Sequence, residues 1–193
     1  MLFHALRPFF KVVSTLFHAD ETFQHRAALQ LASVWSSDPL HRLSASQVCE
    51  LHRILMLHSA FASGPEAAMT GLQRAIDKYY VSLDNKDHFI ISAVILFYEV
   101  IQARPFPSQD GNGRLGTLLL NYALQRAGFP FAVRLTSARK RAIRNAQNRC
   151  SSIIIIPPNQ LLMDLICLVL KSCYYKIINY EANLARMRAA ESL

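Results

Sequence analysis

"RPFPSQDGNGR", residues 104–114, contains two of the chain's six glycines and directly precedes the apolar stretch "LGTLLLNYALQRA". Glycine has no side chain, so a ligand can approach the neighbouring backbone amides closely. The first turn of a helix carries a partial positive charge and N–H groups without internal partners, which together attract anions. The sequence therefore predicts an anion-binding loop that leads into a helix.

Side chains in this loop add to that interpretation. Asn112 supplies an amide donor between two glycines, and Arg114 supplies a fixed cation for a terminal phosphate. Asp110 supplies a carboxylate of the kind that holds Mg²⁺ beside phosphate oxygens. The same residue types also favour tight turns with positive φ, so a purely structural turn remains an alternative at this point.

Helical periodicity flanks the loop on both sides. Residues 86–103 are apolar nearly all round, which predicts a helix through the middle of the core, capped by Asp84 or Asn85. After the loop, a second apolar helix is predicted from Gly113 to Ala127, with Gly128 in the left-handed conformation that ends it. Because period-3.6 patterns dominate elsewhere too, we predict an all-α fold with two central helices around the loop.

Capping residues place the remaining helices. Ser44, with Gln47 three residues later, forms a capping box, and Leu43 can pack on Val48. Between residues 59 and 85 the pattern is weak and predicts a loop followed by a short helix near residues 72–80. Asp20 is predicted to cap a helix that runs to about Val34, and Thr136 to cap a helix that runs to about Asn148. Asn159 is predicted to cap the helix of the C-terminal region.

Composition limits the class of protein. A chain of 193 residues with 52% hydrophobic content can bury one sizeable core, and its net charge of +8 favours an anionic partner. The four cysteines form no CxxC pair, which favours buried reduced thiols over disulfides or a metal site. The longest apolar run, residues 89–101, is too short to span a bilayer, and the N-terminus lacks a signal-peptide layout. We therefore expect a soluble cytoplasmic protein, with delivery into another cell left open.

In its helical setting, the loop resembles the signature of the Fic (Fido) family, His-Pro-Phe-x-Asp/Glu-Gly-Asn-Gly-Arg-x-x-Arg, which joins two central helices of an all-α domain. Residues 110–114 match the signature letter for letter. Residues 98–106 resemble the helix that runs into His-Pro-Phe, and residues 118–130 resemble the helix and stop that follow. The resemblance covers roughly residues 40–180 and implies a single domain over residues 1–193, with residues 1–38 as an N-terminal helical extension.

The resemblance implies a site like that of the protein adenylyltransferases, which move AMP from ATP to a Ser, Thr or Tyr hydroxyl of a target protein. On that basis, Gly111, Asn112 and Gly113 bind the α- and β-phosphates. Asp110 holds Mg²⁺, and Arg114 contacts the β- or γ-phosphate. ATP or another nucleotide, Mg²⁺ and a protein target are the implied cofactors and partners.

Two positions depart from the family signature. When the sequence is aligned with the signature from the preceding helix, Arg104 occupies the position of the catalytic histidine. When it is aligned without gaps from residues 110–114, Phe106 occupies that position. Arginine stays protonated and phenylalanine has no exchangeable proton, so neither can be the base. Loss of a positioned base costs about 10²- to 10⁴-fold in rate. The second signature arginine is Thr117, and Arg104 is predicted to replace part of its phosphate contact.

Three functions follow, in decreasing order of preference. The first is a nucleotidyltransferase-like Fic domain whose transfer is weak or lost, and the second is a non-catalytic, nucleotide-responsive scaffold or decoy. The third is nucleic-acid binding through the basic helix 136–149, which we rank below a solvated face because no aromatic residues interleave with its cations. His52, His58 and His88 are interpreted as structural or surface residues, and the Tyr-rich C-terminal helix leaves a surface for a partner or a homodimer.

Overall fold

The computed structural model describes residues 19–56, 66–106, 111–133, 135 and 158–191. Within these ranges it contains six α-helices and no strand, which confirms the all-α prediction. The helices are α1 (Ala19–Ser37), α2 (Ala45–Leu55), α3 (Glu66–Asp84), α4 (Phe89–Ala103), α5 (Asn112–Arg126) and α6 (Pro158–Glu191). The chain divides into two compact units, Met1–Pro130 and Phe131–Leu193. The single-domain interpretation stays a prediction.

The first unit is built around α4. This helix packs against both α3 and α5, while α1 and α2 pack against each other and against α5. Its buried residues point in several directions around the axis, as expected for a helix inside the core: Ile90, Ala93, Val94, Leu96, Phe97 and Val100. The central position predicted for this helix is therefore confirmed.

Gly116 sets the approach of α4 and α5. A Cβ atom at this position would lie 3.0 Å from Ile101 Cδ1 and 3.2 Å from Phe97 Cδ2, both on α4. These distances are shorter than ordinary van der Waals contacts, so a side chain at position 116 would force a shift. The absence of a side chain therefore allows the two central helices to pack closely.

The start of α4 differs from the prediction. Neither Asp84 nor Asn85 caps it, because both residues complete α3, where the Asn85 N–H donates to the Val81 carbonyl at 2.9 Å. The N-cap is His88, whose Nδ1 accepts the N–H of Ile90 at 3.3 Å. Asp and Asn suit both the end of one helix and the start of the next, which is why their presence alone misplaced the boundary.

Helix α3 is longer than the segment predicted over residues 72–80, since it extends over Glu66–Asp84. Gly71 does not interrupt it: a Cβ there would lie 3.3 Å from the Cβ of Ala103 on α4. The helix is stabilised by an apolar face with helical spacing, made of Leu72, Ala75, Ile76 and Tyr79, all buried. Tertiary packing thus extends a helix whose local signals are weak.

The capping box at the start of α2 is confirmed. The backbone N–H of Gln47 donates to Ser44 Oγ at 3.4 Å, and the backbone N–H of Ser44 donates to Gln47 Oε1 at 2.9 Å. Leu43 and Val48 are both buried, as the predicted hydrophobic contact between them requires. This start fixes the first turn of α2.

Helix α1 extends beyond both predicted ends. It already includes Ala19, so Asp20 lies inside the helix and is not its cap. It also passes Val34 and continues to Ser37, whose Oγ donates to the Ser33 carbonyl at 2.7 Å. A serine that bonds to the carbonyl four residues earlier fits within a helix, so the serines near this end do not stop it.

Helix α5 ends as predicted, with Gly128 in the left-handed conformation at φ 91° and the Phe129 N–H bonded to the Leu124 carbonyl at 2.9 Å. Helix α6 begins at Pro158, so Asn159 lies in its first turn and is not the cap. Proline suits the first helical position because its φ is already helical there. The predicted basic helix 136–149 lies outside the described residues.

Three tyrosines from α3 and α5 form a group in which two members are buried and Tyr80 is half-buried. Tyr79 and Tyr122 are 1% and 0% exposed, and Tyr80 accepts the backbone N–H of Leu43 on its hydroxyl oxygen at 2.6 Å. The Tyr122 hydroxyl lies 3.5 Å from Nδ1 of His41. Burial is the main cause that raises the pKa of Tyr79 and of Tyr122 well above the usual value near 10.

We expect the free energy of unfolding to fall above about pH 10. The unfolded state releases phenolic protons there, whereas folded Tyr79 and Tyr122 retain them, so their contribution is complete below that pH and is lost as the pH rises. Each group should lower the free energy of unfolding by up to about 1.4 kcal/mol per pH unit. Urea unfolding of the wild type and of a Tyr79→Phe/Tyr122→Phe variant measures this. Equal pH slopes for the two proteins would contradict it.

Candidate anion-binding site

The loop between α4 and α5 is closed by Asn112. Arg104 ends α4 in the left-handed region, at φ 40° and ψ 58°, and its side chain is exposed. Six residues before Asn112, the Phe106 carbonyl accepts a hydrogen bond from Asn112 Nδ2 at 2.8 Å, and the Phe106 N–H donates to Asn112 Oδ1 at 3.3 Å. The Asn112 side chain therefore ties the exit of α4 to the start of α5.

Gly111 is the N-cap of α5 and has φ 106°, a conformation that favours glycine. A Cβ atom there would lie 2.9 Å from Met56 Sδ and 3.2 Å from His52 Nε2, both contributed by the end of α2. Its carbonyl accepts the first helical bond, from the Leu115 N–H at 2.8 Å. Both the backbone angle and the lack of space therefore require glycine at this position, as the predicted turn demands.

His52 lies behind the loop, which the sequence did not indicate. Its ring stacks on that of Phe106 with centroids 3.6 Å apart and planes inclined by 8°. Both residues are 1% exposed. The prediction that His52 is structural agrees with this burial, but its contact with the signature loop was missed. One signal was available, because His52 lies four residues after buried Val48 and thus on the inner face of α2.

Gly113 and Arg114 form the open part of the first turn of α5. Gly113 is exposed, and apart from the adjoining backbone of its own helix, no heavy atom of the described residues lies within 4 Å of the position that its Cβ would take. Its N–H belongs to the first turn, where a helix offers no internal acceptor. Arg114 is half-buried, with Nη2 3.4 Å from Met56 Sδ. An anion approaching this turn would thus meet a backbone donor and a guanidinium side by side.

Thr117 occupies the place of the second signature arginine. Its Oγ1 donates to the Gly113 carbonyl at 2.8 Å, one turn earlier on the same helix. A short hydroxyl side chain that bonds to its own helix offers no cation to a ligand. Of the two arginine positions in the signature, only Arg114 therefore carries a positive charge.

The predicted metal ligand, Asp110, lies outside the described residues. Across the described ranges, no cluster of three or more His, Cys, Asp or Glu residues is arranged to hold a metal ion. A Mg²⁺ site at Asp110 therefore stays a prediction.

The described cysteines are free thiols, as predicted, but not all are buried. Cys173 is buried and Cys49 half-buried, whereas Cys167 is exposed on α6, and Cys150 lies outside the described residues. Burial raises the pKa of Cys49 and raises that of Cys173 to about 11. Neither of these two thiols is therefore activated as a nucleophile. Across the described part of the chain, no helix is both long and apolar enough to cross a membrane.

Comparison with known proteins is consistent with this fold. Residues 42–124 match the model of the Fic/DOC family, a segment that includes α2, α3, α4 and most of α5. A signalling protein from Bacteroides thetaiotaomicron that contains a Fic domain has a similar structure, with a TM-score of 0.61 and 20% sequence identity. The similarity covers 86% of this chain and 71% of that one. No curated protein matches the chain at a significant level.

Proposed function

We propose that the loop before α5 binds the polyphosphate of a nucleotide, ATP with Mg²⁺, because residues 42–124 match the model of the Fic/DOC family. We further propose that transfer of AMP to a protein hydroxyl is weak or lost. The observation that carries the binding proposal is the first turn of α5, which is open at Gly113 among the described residues. The loss of transfer is argued from Arg104 and Phe106, neither of which can accept a proton from a substrate hydroxyl.

Binding is supported by the first turn of α5. Its N–H groups and dipole favour a phosphate, and the open space at Gly113 lets the oxygens approach closely. Arg114 adds a permanent cation. Asn112 Nδ2 donates a hydrogen bond to the Phe106 carbonyl, so the main task of this side chain is to hold the loop.

The residue that would hold Mg²⁺ is Asp110, one position before the N-cap. A carboxylate is the ligand type that Mg²⁺ takes beside substrate phosphates. When bound, the ion would neutralise the negative charge of the phosphate oxygens. This chain would contribute the Asp110 carboxylate, the first amides of α5 and the Arg114 guanidinium, which follow one another closely in the sequence.

Weak or lost transfer is supported by the protonation chemistry at the loop. Arg104 is exposed at the end of α4 but stays protonated throughout the usable pH range. Phe106 and His52 are each 1% exposed, so an incoming hydroxyl cannot reach the imidazole while the stack is intact. His88 caps the opposite end of α4, a helix of 15 residues and hence about 22 Å long.

A non-catalytic module is the second candidate. The His52–Phe106 stack and the two Asn112–Phe106 hydrogen bonds hold the loop without any catalytic group. Such a loop could bind nucleotide and pass the bound state to a partner, or occupy the target of a related active enzyme. Nucleic-acid binding through residues 136–149 ranks below both, because it rests on charge alone.

We expect Gly113→Ala to weaken the binding of ATP with Mg²⁺ by about tenfold, the loss of one amide–phosphate hydrogen bond. The added methyl group would occupy the open space that the phosphate needs. Stability should not fall, because alanine is favoured over glycine within a helix by about 1 kcal/mol. Titration calorimetry measures the affinity, and thermal unfolding provides the control. Unchanged affinity would contradict the proposed contact.

Incubation of the protein with α-labelled ATP, Mg²⁺ and cell lysate distinguishes the transferase from the non-catalytic module. Label on a protein, lost in the Asp110→Ala variant, would identify a transferase. Binding of ATP without labelling would identify the module. Absence of any heat with ATP and Mg²⁺ would overturn both and leave a structural turn.

A further inference from the structure

Helix α6 carries an exposed apolar stripe in addition to its buried face. The stripe residues follow at intervals of four, three, four and three, which keeps them on one side of a helix. They are Met163 (52% exposed), Cys167 (exposed), Leu170 (51%), Tyr174 (60%) and Ile177 (41%). The buried face lies on the other side and is formed by Leu161, Leu165, Val169 and Ser172. We call the exposed stripe the α6 seam.

A seam of this kind is unusual on a helix that already has an inner face. Exposed apolar residues scattered singly need no explanation, but a continuous row along a helix marks a contact surface. The heptad-like spacing is the one that two packed helices use to interdigitate. A second helix is therefore the partner that this geometry fits.

Charged residues beside the α6 seam indicate the identity of the partner helix. Asp164 follows Met163 and Lys171 follows Leu170, so both exposed side chains flank the seam on the same side, seven residues apart. If a second copy of α6 packs antiparallel with its Tyr174 level with Met163, its Lys171 lies within about 3 Å of the level of Asp164, at 1.5 Å per residue. Two-fold symmetry then repeats this pair on the same interface.

Other arrangements lose this complementarity. In a parallel pair of α6 helices, each residue lies level with the same residue of the second copy. Asp164 and the Lys171 of the second copy are then about 10 Å apart along the helix axis. We propose that the α6 seam is the interface of a homodimer in which two copies of α6 pack antiparallel. This proposal is independent of nucleotide binding, since it uses only residues of the second compact unit.

Sedimentation equilibrium of the full chain tests the interface. We expect the wild type to be dimeric and Leu170→Glu to raise the dimer dissociation constant by more than about tenfold, because it buries two unpaired charges. Asn179→Glu adds the same charge at an exposed position off the seam and should leave the dimer unchanged. A monomeric wild type at about 100 μM, a concentration at which even a weak dimer forms, would overturn the proposal. So would equal effects of the two substitutions.

Exchange of the flanking charges tests the antiparallel arrangement with substitutions that lie on the surface. Asp164→Lys and Lys171→Asp should each weaken the dimer by about 3- to 10-fold, since each breaks two exposed ion pairs. The double variant should restore it, because the pairs re-form with reversed sign. If the double variant is as weak as the single ones, the antiparallel interface is wrong. This series also decides the question if Leu170→Glu fails to fold, which circular dichroism would show.

Discussion

Arg104→His is expected to raise AMP transfer by about 10²- to 10⁴-fold, the usual contribution of a positioned general base. The side chain at position 104 is exposed at the end of α4, where the loop begins, so an imidazole there could meet an incoming hydroxyl. Arg104 has φ 40°, and histidine is among the residue types that adopt positive φ more readily than most. The substitution should therefore add a base without disturbing the loop.

The matched control is Arg104→Gln, which removes the same positive charge but offers no base near neutral pH. Labelling with α-labelled ATP should increase in the histidine variant alone, while calorimetry confirms that both variants bind nucleotide. Equal labelling of the two variants would show that position 104 is not the place of the missing base. Transfer by the wild type at the rate of the histidine variant would contradict the proposed loss of activity.

Phe106→Ala is expected to lower the free energy of unfolding by about 3–5 kcal/mol, the usual cost of removing a fully buried aromatic ring. The ring is 1% exposed and stacks on His52, so its removal leaves a cavity between α2 and the loop. The buried ring also anchors the Phe106 backbone to which the Asn112 side chain is hydrogen-bonded, so the start of α5 should loosen and nucleotide affinity should fall too. Urea unfolding and calorimetry measure the two effects.

A series of substitutions distinguishes the free-energy cost of the cavity from that of the lost ring stacking. Phe106→Leu keeps most of the buried volume and should cost less than Phe106→Ala. His52→Ala, combined with Phe106→Ala in a double-mutant cycle, should give a coupling free energy of about 0.5–1.5 kcal/mol for the ring pair. Strictly additive effects of the two substitutions would show that the stack does not stabilise the loop.

The sequence predicted those parts of the fold that short-range rules determine. The Ser44–Gln47 capping box and the left-handed Gly128 are local chemistry, and both are confirmed. The full length of α3 was missed, because Gly71 weakens its local pattern while packing against α4 maintains the helix. Helix boundaries were predicted wrongly where a residue type is common both at the end of one helix and at the start of the next, as is Asp84 at the end of α3.

The site was predicted less completely than the fold. The resemblance located the loop, but it gave no indication that the side chain of Asn112 also binds the backbone of Phe106. Peptide groups in a partly buried loop need partners, and a nearby carboxamide satisfies both the N–H and the carbonyl of one residue. The His52–Phe106 stack joins residues far apart in the chain, which periodicity within single helices cannot reveal.

The close contact at Gly116 has a consequence for protein engineering. Because Ile101 and Phe97 leave no room for a Cβ, α4 and α5 form a stiff helical hairpin whose two ends keep a constant separation. Such a hairpin can accept connecting segments of different length between the same anchor points. Segments that carry a histidine could then be inserted between these anchor points without redesign of the helices.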